Sequence, residues 1–69
     1  MSGSAPDAAV ALRGLREAAG MSVAQLSAVS DVSVPFIRVI ESGGLTPTHG
    51  VIARMAAAIV RFMMEGNRA

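Results

Sequence analysis

The sequence predicts an all-α fold, a small four-helix domain with an extended C-terminal helix, and three observations carry that expectation. Residues 12–47 read as short helices joined by tight turns. Serines and threonines stand where helices should start, and glycines where they should stop. From Thr48 onward the helical pattern runs unbroken until Gly66. The expected organisation is a flexible lead-in over 1–6, a domain over 7–66 with helices at about 8–19, 23–29, 34–42 and 48–65, and a short tail over 67–69.

The lead-in, MSGSAP, offers small and polar side chains with nothing to bury. Asp7 can cap the first helix, in which Val10, Leu12, Leu15 and Ala19 recur at near-helical intervals, and Gly20 stands where a left-handed terminating residue is wanted. Ser22-Val23-Ala24-Gln25 is a Ser-x-x-Gln capping box opening the second helix, with Leu26 and Val29 expected inward. Ser30-Asp31-Val32 makes a turn. Ser33 then caps a third helix whose first turn tolerates Pro35, because amides there have no helical partner. Ile37 and Ile40 should point inward, and Gly43-Gly44 end the helix.

Thr46 or Thr48 caps the last helix, with Pro47 at or just before its first position. At ~100° per residue, Ile52, Met55, Ala56, Ile59 and Met63 share one face, and Arg54, Arg61 and Glu65 form a narrow charged strip. Ala53, Ala57, Val60 and Met64 form a second apolar stripe, more than a four-helix core requires. A symmetric dimer seam is the expected use for it, since isologous contacts are the commonest way for a small domain to bury surplus apolar surface.

Composition narrows the function classes. A chain of 69 residues buries only about 60% of its unfolded surface, so a partner copy helps it. There is no cysteine, so neither disulfides nor a thiolate zinc site staples the fold, and packing or oligomerisation must. The formal net charge is +1 and the pI about 9.1. All six cations are arginines, which suit bidentate contacts to phosphate or carboxylate. No uncharged apolar run reaches the ~18 to 20 residues of a membrane span, and the N-terminus lacks signal-peptide zones. The expected location is cytoplasmic, on the nucleoid.

Catalysis is not expected. The lone histidine, His49, has no second histidine or cysteine to complete a metal site, and Asp7, Glu17, Asp31, Glu41 and Glu65 are scattered along the chain. Gly43-Gly44 has no following lysine and is no phosphate loop. No cofactor and no metal are expected. The five methionines read as core and seam filler.

Over Leu12 to Ile59 the chain resembles the XRE or lambda-repressor-like helix-turn-helix family. The matching features are Leu15-Arg16, Gly20-Met21-Ser22, Val32-Ser33, Ile40-Glu41 with Gly43, and Pro47. The resemblance implies that Arg16 and Glu41 form a partly buried ion pair tying helix 1 to the end of helix 3. Desolvated charges emerging from packed helices should pair in any case. It further implies that helix 3 lies in the major groove of double-stranded DNA. Carried over, the groove-facing residues are Val34, Pro35, Arg38, Val39 and Ser42, while Ser22, Ser33, Gly44, Thr46 and Thr48 would offer hydroxyls or amides to phosphates. Capping and turn formation already account for Ser22 and Ser33.

The chain departs from the family where it should read bases. Polar residues are usual at several groove-facing positions, yet here Arg38 is the one side chain able to make a bidentate bond to a base edge, and Val34, Pro35 and Val39 can touch only thymine methyls. Val23 stands where the family often has a backbone-contacting glutamine. Two readings follow. In the first the protein is a sequence-specific, autoregulatory transcriptional regulator, a repressor or dual regulator, acting as a homodimer on a palindromic operator. In the alternative the fold has lost DNA readout, and Val34, Pro35, Phe36 and Val39 form an apolar patch that binds a protein partner such as a transcription activator or a toxin.

Overall fold

The computed structural model describes residues 5–66, with four helices in the order α1 (Ala5–Ala18), α2 (Val23–Ser30), α3 (Val34–Glu41) and α4 (His49–Gly66). Of the expected lead-in over 1–6, residues 1–4 lie outside the described residues, as does the tail over 67–69, whereas Ala5 and Pro6 belong to α1 and not to a lead-in. α1 starts three residues before the expected Ala8, so the backbone of Asp7 already belongs to the helix and is not its cap. Pro6 sits in the first turn, where a missing amide costs no helical bond.

Each junction is closed by local hydrogen bonding. At the end of α1 the Gly20 amide donates to the Glu17 carbonyl at 3.0 Å and the Met21 amide to the Arg16 carbonyl at 3.1 Å. Gly20 takes φ +75°, completing a Schellman motif. The α2 capping box is formed: the Gln25 amide donates to Ser22 Oγ at 3.0 Å, and the Ser22 amide donates to the Gln25 side chain at 2.8 Å. Asp31 ends α2 in the left-handed region at φ 66°, a conformation that aspartate tolerates better than most residues. The next amide, Val32, donates to Ser30 Oγ at 3.3 Å, so the buried hydroxyl of Ser30 is satisfied inside the turn. Ser33 caps α3.

A second Schellman motif ends α3, with Gly43 at φ +81° and the Gly44 amide donating to the Val39 carbonyl at 2.9 Å. A Cβ on Gly44 would stand 3.0 Å from Val39 Cγ1 and 3.3 Å from the Val39 carbonyl oxygen, so a side chain there would press on the end of α3. Of the two threonines before α4, Thr48 is the cap. It accepts the Val51 amide at 3.2 Å, its own carbonyl accepts the Ile52 amide at 3.0 Å, and Pro47 before it is buried.

The core is built from Leu12, Met21, Leu26, Val32, Ile37, Ile40, Met55, Ala58 and Ile59, with Phe36, Leu45, Val51, Ile52 and Phe62 packed around it. α4 is the spine, packing against both α1 and α2, while α3 packs on α1 and α2. The inward faces differ from the expected ones in phase. On α1 the buried positions are Ala9 and Leu12, whereas Val10 is 72% exposed and Leu15 about half exposed. On α2 Ser30 is buried in place of Val29. On α4 Ala58 and Phe62 face the core and Met63 is exposed. α4 is apolar nearly all round and α1 has a broad apolar side opposite Arg13, Arg16 and Glu17, so hydrophobic spacing allowed neighbouring phases and the partner helices chose among them. On α2 the turn chooses: the Val32 amide needs the Ser30 hydroxyl, which rotates Val29 outward.

Candidate nucleic-acid interface

Between α2 and α3 the chain turns through 116°, within the range of helix-turn-helix pairs. Ile37 and Ile40, both fully buried, fix the rotation of α3. Its outer side therefore carries positions 34, 35, 38, 39 and 42, which recur at helical spacing on one face. Pro35, Arg38, Val39 and Ser42 are exposed and Val34 is half-buried. Phe36, expected within the apolar patch, instead packs against the core. At about 100° per residue Phe36 points to the side of α3 that carries Ile40, away from the outer arc shared by positions 34, 35, 38, 39 and 42.

Arg16 and Glu41 hold the base of this surface. Arg16 Nε donates to Glu41 Oε2 at 2.8 Å and Nη2 donates to Oε1 at 2.9 Å, with side chains only 11% and 8% exposed. Arg16 Nη1 also donates to the Met21 carbonyl at 2.8 Å. One guanidinium thus joins α1, the α1–α2 loop and the end of α3. Hydrogen bonding to Glu41 raises the Arg16 pKa above its ordinary value, outweighing the opposing effect of burial. Among the described residues no carboxylate pairs with Arg38.

The hydroxyls near α3 fall into two groups. Ser22, Ser33 and Thr48 accept from backbone amides at 3.0, 3.4 and 3.2 Å, which leaves each O–H proton to donate outward. Ser42 does the reverse, donating to the Val39 carbonyl at 2.9 Å. The Gly44 amide is engaged by that same carbonyl, so Ser42 and Gly44 have their donors in use. Thr46 is exposed.

Arg13, Arg16, Val23, Arg38, Glu41 and Ser42 line a cleft of about 220 Å³ where α1, α2 and α3 meet. Arg13 and Val23 were absent from the residues carried over for DNA. The sequence does hold a signal for Arg13: it precedes Arg16 by one helical turn, and so shares that side of α1.

Ala53, Ala57, Val60 and Met64 all lie exposed on α4, on the side away from the core, and Met64 is 63% exposed. With Ala56, Arg61 and Glu65 the last three border a shallow groove of about 650 Å³. No single helix among the described residues is long and apolar enough to cross a membrane. In comparison with known proteins, a family model described as a helix-turn-helix domain matches residues 7–59. No curated protein and no solved structure matches the chain.

Proposed function

The chain belongs to the helix-turn-helix domain family, and we propose that it is a sequence-specific DNA-binding transcriptional regulator acting as a homodimer. The observation that carries this reading is the outer face of α3, held by the 116° turn, with Arg38 exposed and without a carboxylate partner among the described residues. In the major groove Arg38 donates two hydrogen bonds to a guanine, and Val34 and Val39 contact thymine methyls. The O–H groups of Ser22, Ser33 and Thr48 face phosphates. The remaining discrimination comes from DNA shape and deformability.

The dimer forms through Ala53, Ala57, Val60 and Met64. Two-fold symmetry then sets two α3 helices on successive major grooves about 34 Å apart, which demands a palindromic operator. The protein works without cofactor, metal or catalysis, and by occupying DNA before its own gene it represses itself.

A second reading rests on the same face. Val34, Pro35 and Val39 are apolar, and a domain that has stopped reading bases could present them to a transcription activator or a toxin. An electrophoretic mobility shift at two salt concentrations separates the two. DNA from immediately upstream of the gene should be retarded in preference to unrelated competitor, less so at higher salt. Absence of selective retardation at micromolar protein would refute operator binding at that site and favour the protein-directed reading.

A further inference from the structure

The chain holds no cysteine, tryptophan or tyrosine, so its methionine thioethers are the groups that a peroxide oxidises most readily. The fold sorts them by access. Met21 and Met55 lie in the core, 3% and 0% exposed, whereas Met63 and Met64 in the last turns of α4 are 42% and 63% exposed. The two accessible sulfurs have different surroundings. Met63 borders a groove with Ala18, Ala19 and Phe62, against the end of α1. Met64 borders the groove on the outer side of α4, with Ala57 and Val60.

We propose that Met64 makes the α4 seam sensitive to peroxide, oxidation of its thioether releasing the dimer. This regulation rests on the homodimer proposed above. Ala53, Ala57, Val60 and Met64 recur at intervals of 4, 3 and 4 residues, the heptad spacing with which one helix packs along a second copy of itself. Two of the four are alanines, so Val60 and Met64 supply most of the apolar area that the seam buries. In the reaction a sulfur lone pair attacks one oxygen of hydrogen peroxide, the O–O bond breaks and an S–O bond forms. The departing hydroxide takes the proton of the new S–OH group. One sulfoxide and one water result, the thioether oxidised by two electrons and the peroxide reduced by two. The sulfoxide oxygen is a hydrogen-bond acceptor, and Ala53, Ala57 and Val60 offer it no side-chain donor. Arg61 borders the same groove, but as an exposed side chain it is available to the sulfoxide in either state and favours neither. While two copies are joined Met64 is covered, and Met63 lies off the stripe. Peroxide therefore reaches Met64 in separated copies and keeps them apart. Because two-fold symmetry buries the sulfoxide twice, the dimer dissociation constant should rise at least about tenfold.

The test uses the full chain and hydrogen peroxide itself. Oxidation at each sulfur is timed by tandem mass spectrometry of tryptic peptides, at protein concentrations below and above the dimer dissociation constant found by sedimentation. Met63 and Met64 should gain oxygen before Met21 and Met55, and the Met64 rate should fall relative to the Met63 rate as protein concentration rises. Peroxide should raise the dissociation constant of the wild type and of Met63→Leu at least about tenfold, and leave that of Met64→Leu where it stood before treatment. A constant ratio of the two rates, or an oxidised wild type that dimerises as before, would overturn the switch while leaving the homodimer in place. Untreated protein that sediments as a monomer at every concentration would refute the homodimer and the switch together.

Discussion

Replacing Glu41 by glutamine tests how the interface is held, because it keeps the shape of the side chain and removes the charge facing Arg16. Both side chains of the pair are about nine-tenths buried, and stranding one charge of a buried pair costs about 3 to 5 kcal/mol. The lower end applies here, since Glu17 lies 3.9 Å from Arg16 and the cleft admits solvent. Glu41→Gln should therefore cost about 3 kcal/mol. A domain of this size is stable by about 3 to 10 kcal/mol in all, so the variant should stand near the edge of unfolding. Arg16→Met should cost about 1 kcal/mol more, because the Met21 carbonyl also loses its donor. The double variant Arg16→Met/Glu41→Gln strands neither charge, and its cost should fall at least about 2 kcal/mol short of the two single costs added. Urea unfolding followed by far-UV circular dichroism, at one fixed protein concentration, measures all four proteins. Strict additivity, or a Glu41→Gln cost below about 0.5 kcal/mol, would refute the reasoning. The raised Arg16 pKa contributes stability below the ordinary arginine value and loses it only as pH rises through the raised one, so acidification to neutral pH should not alter this term.

Other perturbations separate folding from function. Val60→Asp and Met64→Asp alter exposed positions, so each should leave helix content intact while halving the sedimenting mass; an unchanged sedimentation profile would exclude the α4 seam. Arg38→Ala should relax selectivity at one base pair by about 1 to 3 kcal/mol, read by comparing the cognate operator with single-substitution operators. Gly44→Ala should destabilise by about 1 kcal/mol, since its Cβ would crowd Val39 at 3.0 Å; an unshifted urea midpoint would show that the end of α3 yields freely.

What was legible in the sequence was the local chemistry. Ser22 with Gln25, Ser33 with its proline two residues on, and Gly20 and Gly43 past their helices each act within a few residues, so residue type alone encodes them. The Arg16–Glu41 pair spans 25 positions and was reached through a family resemblance, with the burial of charge in its support. Rotational phase was poorly encoded. Val10 and Leu15 are more apolar than Ala9, yet Ala9 is buried beside the expected Leu12 on the inner face of α1, so only packing against α3 and α4 could decide. Arg13 is legible as a cation one helical turn before Arg16, but the cleft it shares with Arg38 is assembled from three helices and no single segment displays that cleft.

α3 divides its obligations by face. Ile37, Ile40 and Glu41 answer to the fold, while positions 34, 35, 38, 39 and 42 lie on the other side and contribute little to the core. The outer residues are thus open to substitution at small cost in stability. A duplicated copy of this domain would need only a few changes on that face to acquire a new target, with its architecture inherited intact.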